Sequence, residues 1–141
     1  MDLMRNLFVR ALFLSLLLPL GSCSNDSDGP QTTFVKLVVT EVDMPASFQY
    51  GELYNIPITF QLPDGCTRFE TFQIVTPSAS EREIVVIGAR KDTGACTLQI
   101  TEETETLIFQ VLYDQTYLFK FWQGDDAEGD PIYLEIEVPV S

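Results

Sequence analysis

Apolar and polar residues alternate along several short stretches of the chain, most regularly over residues 53–62. Every second residue over 54–60 is apolar or aromatic, and the residues between them are polar or proline. A period of two indicates a β-strand with one packed face and one solvated face. Because Pro57 has no N–H to donate to a neighbouring strand, the sequence predicts that this strand lies at a sheet edge or carries a bulge.

Turn-forming residues separate further β-rich stretches from Thr32 onward, and no segment there has a helical period. The predicted strands span residues 34–42, 53–62, 67–76, 82–90, 107–113, 116–123 and 132–138, with a further short strand at 97–100. The apolar run at 82–90 favours a central position in its sheet or burial on both faces. The pair Asp114-Gln115 is predicted to connect a hairpin, and residues 102–105 to form an acidic bend.

Seven or eight short strands without a helix predict an all-β fold. Two half-apolar sheets must cover each other, so a small antiparallel β-sandwich is favoured for residues 32–141. A small closed barrel is the alternative. The order and size of the strands resemble those of immunoglobulin-like domains, and this resemblance implies a sandwich of that type.

A different pattern fills residues 1–22. Arg5 and Arg10 make the start basic, and residues 7–20 are apolar except for Arg10 and Ser15. A helix that crosses a bilayer needs about 20 consecutive apolar residues, so this stretch is short for a permanent span. It suits the apolar region of a signal peptide that is removed from the mature protein.

The signal-like stretch ends in Leu20-Gly21-Ser22-Cys23. These four residues resemble the lipobox of bacterial lipoproteins, in which an aliphatic residue and two small residues precede an invariant cysteine. The resemblance implies that residues 1–22 are removed and that Cys23, with its diacylglycerol and N-acyl chains (palmitate among them), anchors the protein to a membrane. Cleavage at this point with release into the periplasm is the alternative.

The residues after Cys23 bear on localisation. In proteobacterial lipoproteins an Asp at the next position favours the inner membrane, whereas Ser24 stands here and implies the outer membrane, at its periplasmic or surface face. Residues 24–28 (SNDSD) are similar to the acidic stretch of surface-exported Bacteroidetes lipoproteins, and the layout of the chain resembles small uncharacterised lipoproteins of that group. Residues 23–31 are therefore expected to be the lipidated cysteine and a flexible linker.

Charge and cysteine content restrict the partners. The full chain has a formal charge of −13, and residues 1–22 contain one acidic and two basic residues, so the chain from Cys23 onward carries −14. Nucleic acid is excluded as a partner, because binding it requires clustered Lys and Arg. Of the three cysteines, Cys23 is assigned to the lipid, so Cys66 and Cys96 remain as a pair. They are predicted to form a disulfide in an oxidising compartment. A redox or metal-binding role would favour a closer Cys-x-x-Cys spacing.

The sequence contains no histidine, which removes Ser-His and Cys-His catalysis and the commonest zinc ligand. It has no glycine-rich phosphate loop, and no cofactor is implied. A small glycan hydrolase with paired carboxylates is the enzyme class that the composition still permits. The clustered Glu102, Glu103 and Glu105 are interpreted as a solvated turn instead, so no enzymatic activity is predicted.

Two weaker candidates lie near the end of the chain. The acidic turn with Asp125, Asp126, Glu128 and Asp130 offers hard oxygen ligands for calcium, although a hairpin turn that uses Asp and Gly for backbone freedom explains it equally simply. Trp122 is a candidate stacking platform for a sugar or protein, against the alternative of a half-buried ring.

Taken together, these features predict a non-catalytic, lipid-anchored cell-envelope module that binds a protein or glycan through a sheet face or its end loops. The alternative is a structural or envelope-maintenance lipoprotein without a small ligand. An exposed aromatic cluster would favour binding, whereas a wholly polar surface would favour the structural role.

Overall fold

The computed structural model describes Gly29 and residues 31–141 of the chain. The predicted signal peptide, Cys23 and most of the predicted linker lie outside the described residues. No helix within the described part is long and apolar enough to cross a membrane.

The described residues contain eight strands: β1 (Thr32–Leu37), β2 (Val39–Val42), β3 (Leu53–Leu62), β4 (Thr67–Val75), β5 (Glu81–Lys91), β6 (Thr101–Gln110), β7 (Tyr117–Asp125) and β8 (Pro131–Val138). They form a five-stranded and a three-stranded sheet, and apolar residues of both sheets form one core. The predicted all-β sandwich is confirmed, with the higher of the two expected strand numbers. The finer resemblance to immunoglobulin-like domains stays a prediction.

The five-stranded sheet is organised around β5, which confirms its predicted central position. One side of β5 pairs with β4. The other side pairs with β1 along its second half and with β7, in parallel, along its first half. Strand β8 then pairs with β7 as an antiparallel hairpin. Strand β4 therefore forms a free edge of this sheet.

In the three-stranded sheet β3 lies between β2 and β6, so the edge, one of the two predictions for the strand with Pro57, is wrong. The other prediction was a bulge, and the pairing of β2 with β3 shifts register between Val39 and Glu41. The backbone N–H of Asp43 donates to Pro57 O at 3.0 Å. In a regular antiparallel pair the opposite bond would also form, but proline has no N–H to donate. The sheet accommodates this missing donor because β2 ends at Val42, next to Pro57.

The predicted strand 34–42 is divided between the two sheets. Leu37 at the end of β1 and Val39 at the start of β2 are each 1% exposed, and both belong to the core. The chain crosses from one sheet to the other at Val38, whose carbonyl accepts the N–H of Gln61 at 2.9 Å. One predicted strand thus forms two, because Leu37 and Val39 cover the core from different sheets.

The acidic segment was also predicted incorrectly. Residues 102–105 belong to β6, not to a bend, and residues 97–100 form no strand. Pairing with β3 outweighs the low strand propensity of glutamate. The Thr104 and Thr59 hydroxyls contribute a cross-strand hydrogen bond of 2.8 Å. The predicted hairpin at Asp114-Gln115 is likewise wrong, since β6 and β7 lie in different sheets.

The disulfide between Cys66 and Cys96 is present, with a Cα–Cα distance of 5.3 Å. It joins the residue before β4 to the loop after β5, so it closes one end of a single sheet rather than bridging two sheets as in antibody domains. The buried carboxylate of Asp64 stabilises the same end of the sheet. It accepts hydrogen bonds from the Thr67 hydroxyl at 2.8 Å and from Arg90 Nε at 2.7 Å, and these bonds lower the pKa of Asp64.

Candidate functional site

Trp122 does not form an exposed platform, because it is only 8% exposed. Its indole Nε1 donates to Asp125 Oδ1 at 3.0 Å, and Lys36 Nζ lies 5.0 Å from the ring centroid. A stacking ligand would have to displace Lys36 to reach this face. The ring is therefore buried, more completely than the half-buried ring that was the alternative interpretation of Trp122.

The first two carboxylates of the acidic turn, those of Asp125 and Asp126, accept hydrogen bonds from nearby residues of the chain. Asp126 Oδ1 accepts the backbone N–H of Glu128 at 3.0 Å and that of Asp130 at 2.8 Å. Asp125 Oδ1 is the acceptor for Trp122. No group of three or more metal-ligating side chains is gathered anywhere in the described residues. Asp125 and Asp126 thus stabilise the β7–β8 turn, whereas the calcium hypothesis for this turn finds no ligand cluster here.

A surface that the sequence pattern did not reveal lies at the loop end beside the start of β5. We call it the distal loop surface and define it by Tyr50, Ser78, Ala79, Arg82, Leu112 and Tyr113. Tyr50 is 64% exposed, Leu112 54% and Tyr113 42%. Two open depressions, of about 290 and 390 Å³, share Leu112 and Tyr113 in their walls. Exposed aromatic and aliphatic side chains around a depression are typical of interaction sites.

This surface lies far from the point where the N-terminal segment joins the domain. Thr32 pairs with Lys91 at the end of β5, whereas Arg82 lies near its start. The strand rises about 3.3 Å per residue, so the two ends are roughly 30 Å apart. Anything attached through residues 23–31 therefore joins the domain at the opposite end from the distal loop surface.

Tyr117 holds the loop that carries Leu112 and Tyr113. It is fully buried in the core, and its hydroxyl oxygen accepts the backbone N–H of Leu112 at 3.1 Å and that of Tyr113 at 3.0 Å. Two exposed side chains are thus fixed by a core residue. Because the loop is already ordered, binding costs less conformational entropy.

The loop with Tyr50 is fixed by backbone contacts. Gly51 N–H donates to Val111 O at 2.9 Å, and Val111 N–H donates to Glu52 O at 3.0 Å. Gly51 has a φ of 84°, a left-handed conformation that a residue with a Cβ adopts only with strain. These bonds place Tyr50 beside Leu112, so loops far apart in sequence form one surface.

We expect Tyr117→Phe to loosen the distal loop surface while the sandwich stays folded. The change leaves two backbone N–H groups without their acceptor, at a cost of about 1–3 kcal/mol. Hydrogen exchange should quicken at Leu112 and Tyr113 more than in β3 or β5. Tyr54→Phe is a matched control, because its hydroxyl accepts the N–H of Gln49 instead. Unchanged exchange at Leu112 and Tyr113 would contradict the positioning role of Tyr117.

A second polar contact lies on the outer face of the five-stranded sheet. The Tyr133 hydroxyl donates to Glu83 Oε1. This hydrogen bond, then burial and the nearby carboxylates, raise the pKa of Tyr133 to about 12. The protonated hydroxyl is therefore favoured in the folded state, and its contribution to stability is complete below pH 10 and is lost as the pH rises to about 12.

In an NMR titration we expect the Tyr133 ring signal to shift with a midpoint near pH 12. Glu83→Gln removes the negative acceptor, so the midpoint should fall towards the usual value of 10. A midpoint that is the same in both proteins would show that the hydrogen bond does not determine the titration of Tyr133.

No protein family model, curated protein or solved structure matches this chain. The role of the distal loop surface must therefore be inferred from its own chemistry. Arg82 is the ionic side chain in the walls of the larger depression, and Asp114 lies in the wall of the smaller one. The surface offers apolar contact area and hydrogen-bond donors to a ligand.

Proposed function

We propose that this protein is a lipid-anchored, non-catalytic module of the bacterial cell envelope that binds a protein or glycan through the distal loop surface. Exposed Tyr50, Leu112 and Tyr113 carry this proposal. Tyrosine supplies a large amphipathic contact area and is enriched in protein interfaces. A structural lipoprotein without a ligand would have no need of an apolar cluster held in place by hydrogen bonds to a core residue.

The anchor is proposed from Leu20-Gly21-Ser22-Cys23 and the apolar stretch before it. Lipid on Cys23 would hold the Thr32 end of the domain near the membrane, most simply the outer membrane. The distal loop surface would then face away from the bilayer, where a partner can reach it. The formal charge of −14 for the mature chain supports a domain that stands away from the bilayer, because anionic lipid head groups would repel it.

Metabolic labelling with an alkyne palmitate analogue tests the anchor. The wild-type protein should take up the label, and Cys23→Ser should not. Cys66→Ser, which keeps the lipobox, is the matched control and should be labelled as the wild type. Label on the Cys23→Ser protein, or none on the wild type, would reject the lipid anchor.

Site-specific photo-crosslinking in cells tests the binding role. A benzoylphenylalanine at position 113 should yield adducts of discrete mass with an envelope protein or glycan. The same residue at position 34 is the control, because Phe34 is also an exposed aromatic, at 64%, but lies on β1. Absence of adducts at positions 50, 112 and 113, or equal adducts at position 34, would reject the distal loop surface as the binding site.

A further inference from the structure

A small apolar pit opens between the free edges of the two sheets, beside the distal loop surface. Strand β4 pairs only with β5, and β6 pairs only with β3. The pit has a volume of about 40 Å³ and is lined by Ile74, Arg82, Ile84, Leu107, Phe109 and Phe119. Ile84 and Phe119 are fully buried, whereas Ile74 on β4 is 43% exposed. The pit thus leads from the surface towards the core and has room for a small aliphatic group.

Arg82 lines both this pit and the larger depression of the distal loop surface. The residue is 8% exposed, and its guanidinium lies 5.3 Å from the Tyr117 ring centroid and 5.8 Å from that of Phe109. The hydrogen bonds that it donates within the described residues all come from Nη1, to Ser78 O at 3.3 Å and Glu81 O at 2.7 Å.

The charge of Arg82 has no carboxylate partner in the described part of the chain, where the ion pairs join Arg90 to Asp64 and Lys120 to Glu81. Buried charges in proteins are normally paired, and arginine remains charged at any pH that a protein tolerates. The two aromatic rings compensate partly through cation–π contact. No buried side-chain nitrogen in the described residues lacks a hydrogen-bond partner, so the Nε and Nη2 donors of Arg82 are open to solvent, where they match the two oxygens of a carboxylate.

We propose that Arg82 and the pit together bind the C-terminal residue of a peptide, with its carboxylate on the guanidinium and its aliphatic side chain in the pit. This inference rests on the proposed function and gives the ligand of the distal loop surface a chemical class. The formal charge of −14 repels further negative charge, so the rest of the peptide is neutral or basic. An acidic sugar fits less well, because its hydroxyls would lose their water in an apolar pit.

The edge strands restrict where such a peptide can lie. In β6, Glu103 and Glu105 pair with buried residues of β3 and therefore lie on the core side of the strand. Charged side chains that point inward oppose the addition of another strand at this edge. The pairing of β4 with β5 shifts register between Phe69 and Thr71, and a bulge there has the same effect. The remaining regular part of the β4 edge lies next to the pit and offers its backbone groups to an extended peptide.

The test uses N-acetyl-Gly-Leu with a free carboxylate, the same peptide with a C-terminal amide, and glucuronate. Each is titrated into the full chain, purified from cells in detergent, while the NMR signal of the Arg82 Nε–H is followed. We expect the free acid to bind at least about tenfold more tightly than the amide, since hydrogen bonds to charged groups are the stronger ones. Equal binding of acid and amide, or tighter binding of glucuronate, would overturn the proposal.

Two substitutions on β4 provide a matched pair. Ile74→Asp places a negative charge at the mouth of the pit, whereas Val75→Asp places it on the opposite face of the strand, at a nearly equal exposure of 46%. Neither changes Arg82, and both side chains are exposed, so we expect both variants to fold. We expect Ile74→Asp to weaken binding of the free acid at least tenfold and Val75→Asp less than twofold.

Equal losses of binding in the two variants would show that the added charge acts regardless of its position. That result would reject the pit as the binding site. The crosslinks at position 113 are an independent measurement. If they persist while acid and amide bind equally, the peptide C-terminus is rejected and the proposed binding function stands. If adducts are absent at positions 50, 112 and 113, the distal loop surface is rejected as the binding site whatever the peptides do.

Discussion

Phe119→Ala should destabilise the protein by about 3–5 kcal/mol, the usual cost of removing a fully buried aromatic side chain. Its ring is not exposed at all and lies 5.1 Å from the Phe109 centroid and 5.9 Å from that of Phe48. The contact with Phe109 joins β7 of one sheet to β6 of the other. A domain of this size is stable by about 5–15 kcal/mol, so the substitution removes a large share of the free energy of unfolding.

The measurement is the free energy of unfolding from urea titration followed by circular dichroism. Phe34→Ala is the matched control, because the same atoms are removed from a ring that is 64% exposed. Its effect should stay within about 0.5 kcal/mol. Similar losses in the two variants would contradict the burial of Phe119 in the core.

Replacing both Cys66 and Cys96 by serine should cost about 3–4 kcal/mol. The bond closes a loop with a sequence separation of 30 residues, and its loss restores conformational freedom to the unfolded chain. The loop between these cysteines contains all of β4 and all of β5, so the free edge beside the pit should also become less protected in hydrogen exchange.

Wild-type protein reduced with dithiothreitol is the control for this double substitution. Its free energy of unfolding should fall to that of the serine variant, and the variant itself should not respond to the reductant. A serine variant as stable as the oxidised wild type would contradict a stabilising role for the bond.

Much of the fold follows from local pattern. The alternation over residues 53–62 predicts β3 because one face of a strand must be packed and the other solvated. The same rule places Tyr117, Phe119 and Phe121 together, and all three are fully buried. The turn residues at 63–65 and 124–131 mark real strand boundaries, since glycine, proline and aspartate favour turns regardless of distant contacts.

Other features depend on which segments meet in space. Residues 102–105 form a strand only because β3 supplies its hydrogen-bond partners, and no local pattern contains that information. Asp114-Gln115 links two sheets, although its sequence is suitable for a hairpin. Strand pairing between distant segments therefore decided the structure of residues 102–105 and that of Asp114-Gln115.

The sequence by itself determined the all-β class, the strand faces and the cysteine pair, because these depend on side-chain period and residue type. It also carries the lipobox-like motif at Cys23, from which the anchor is proposed. Only the tertiary structure decided that Trp122 is covered and that the distal loop surface is formed from separate loops. Arg82 acquires its position beside the apolar pit in the same way, because burial and proximity arise from the packing of two sheets and not from neighbours along the chain.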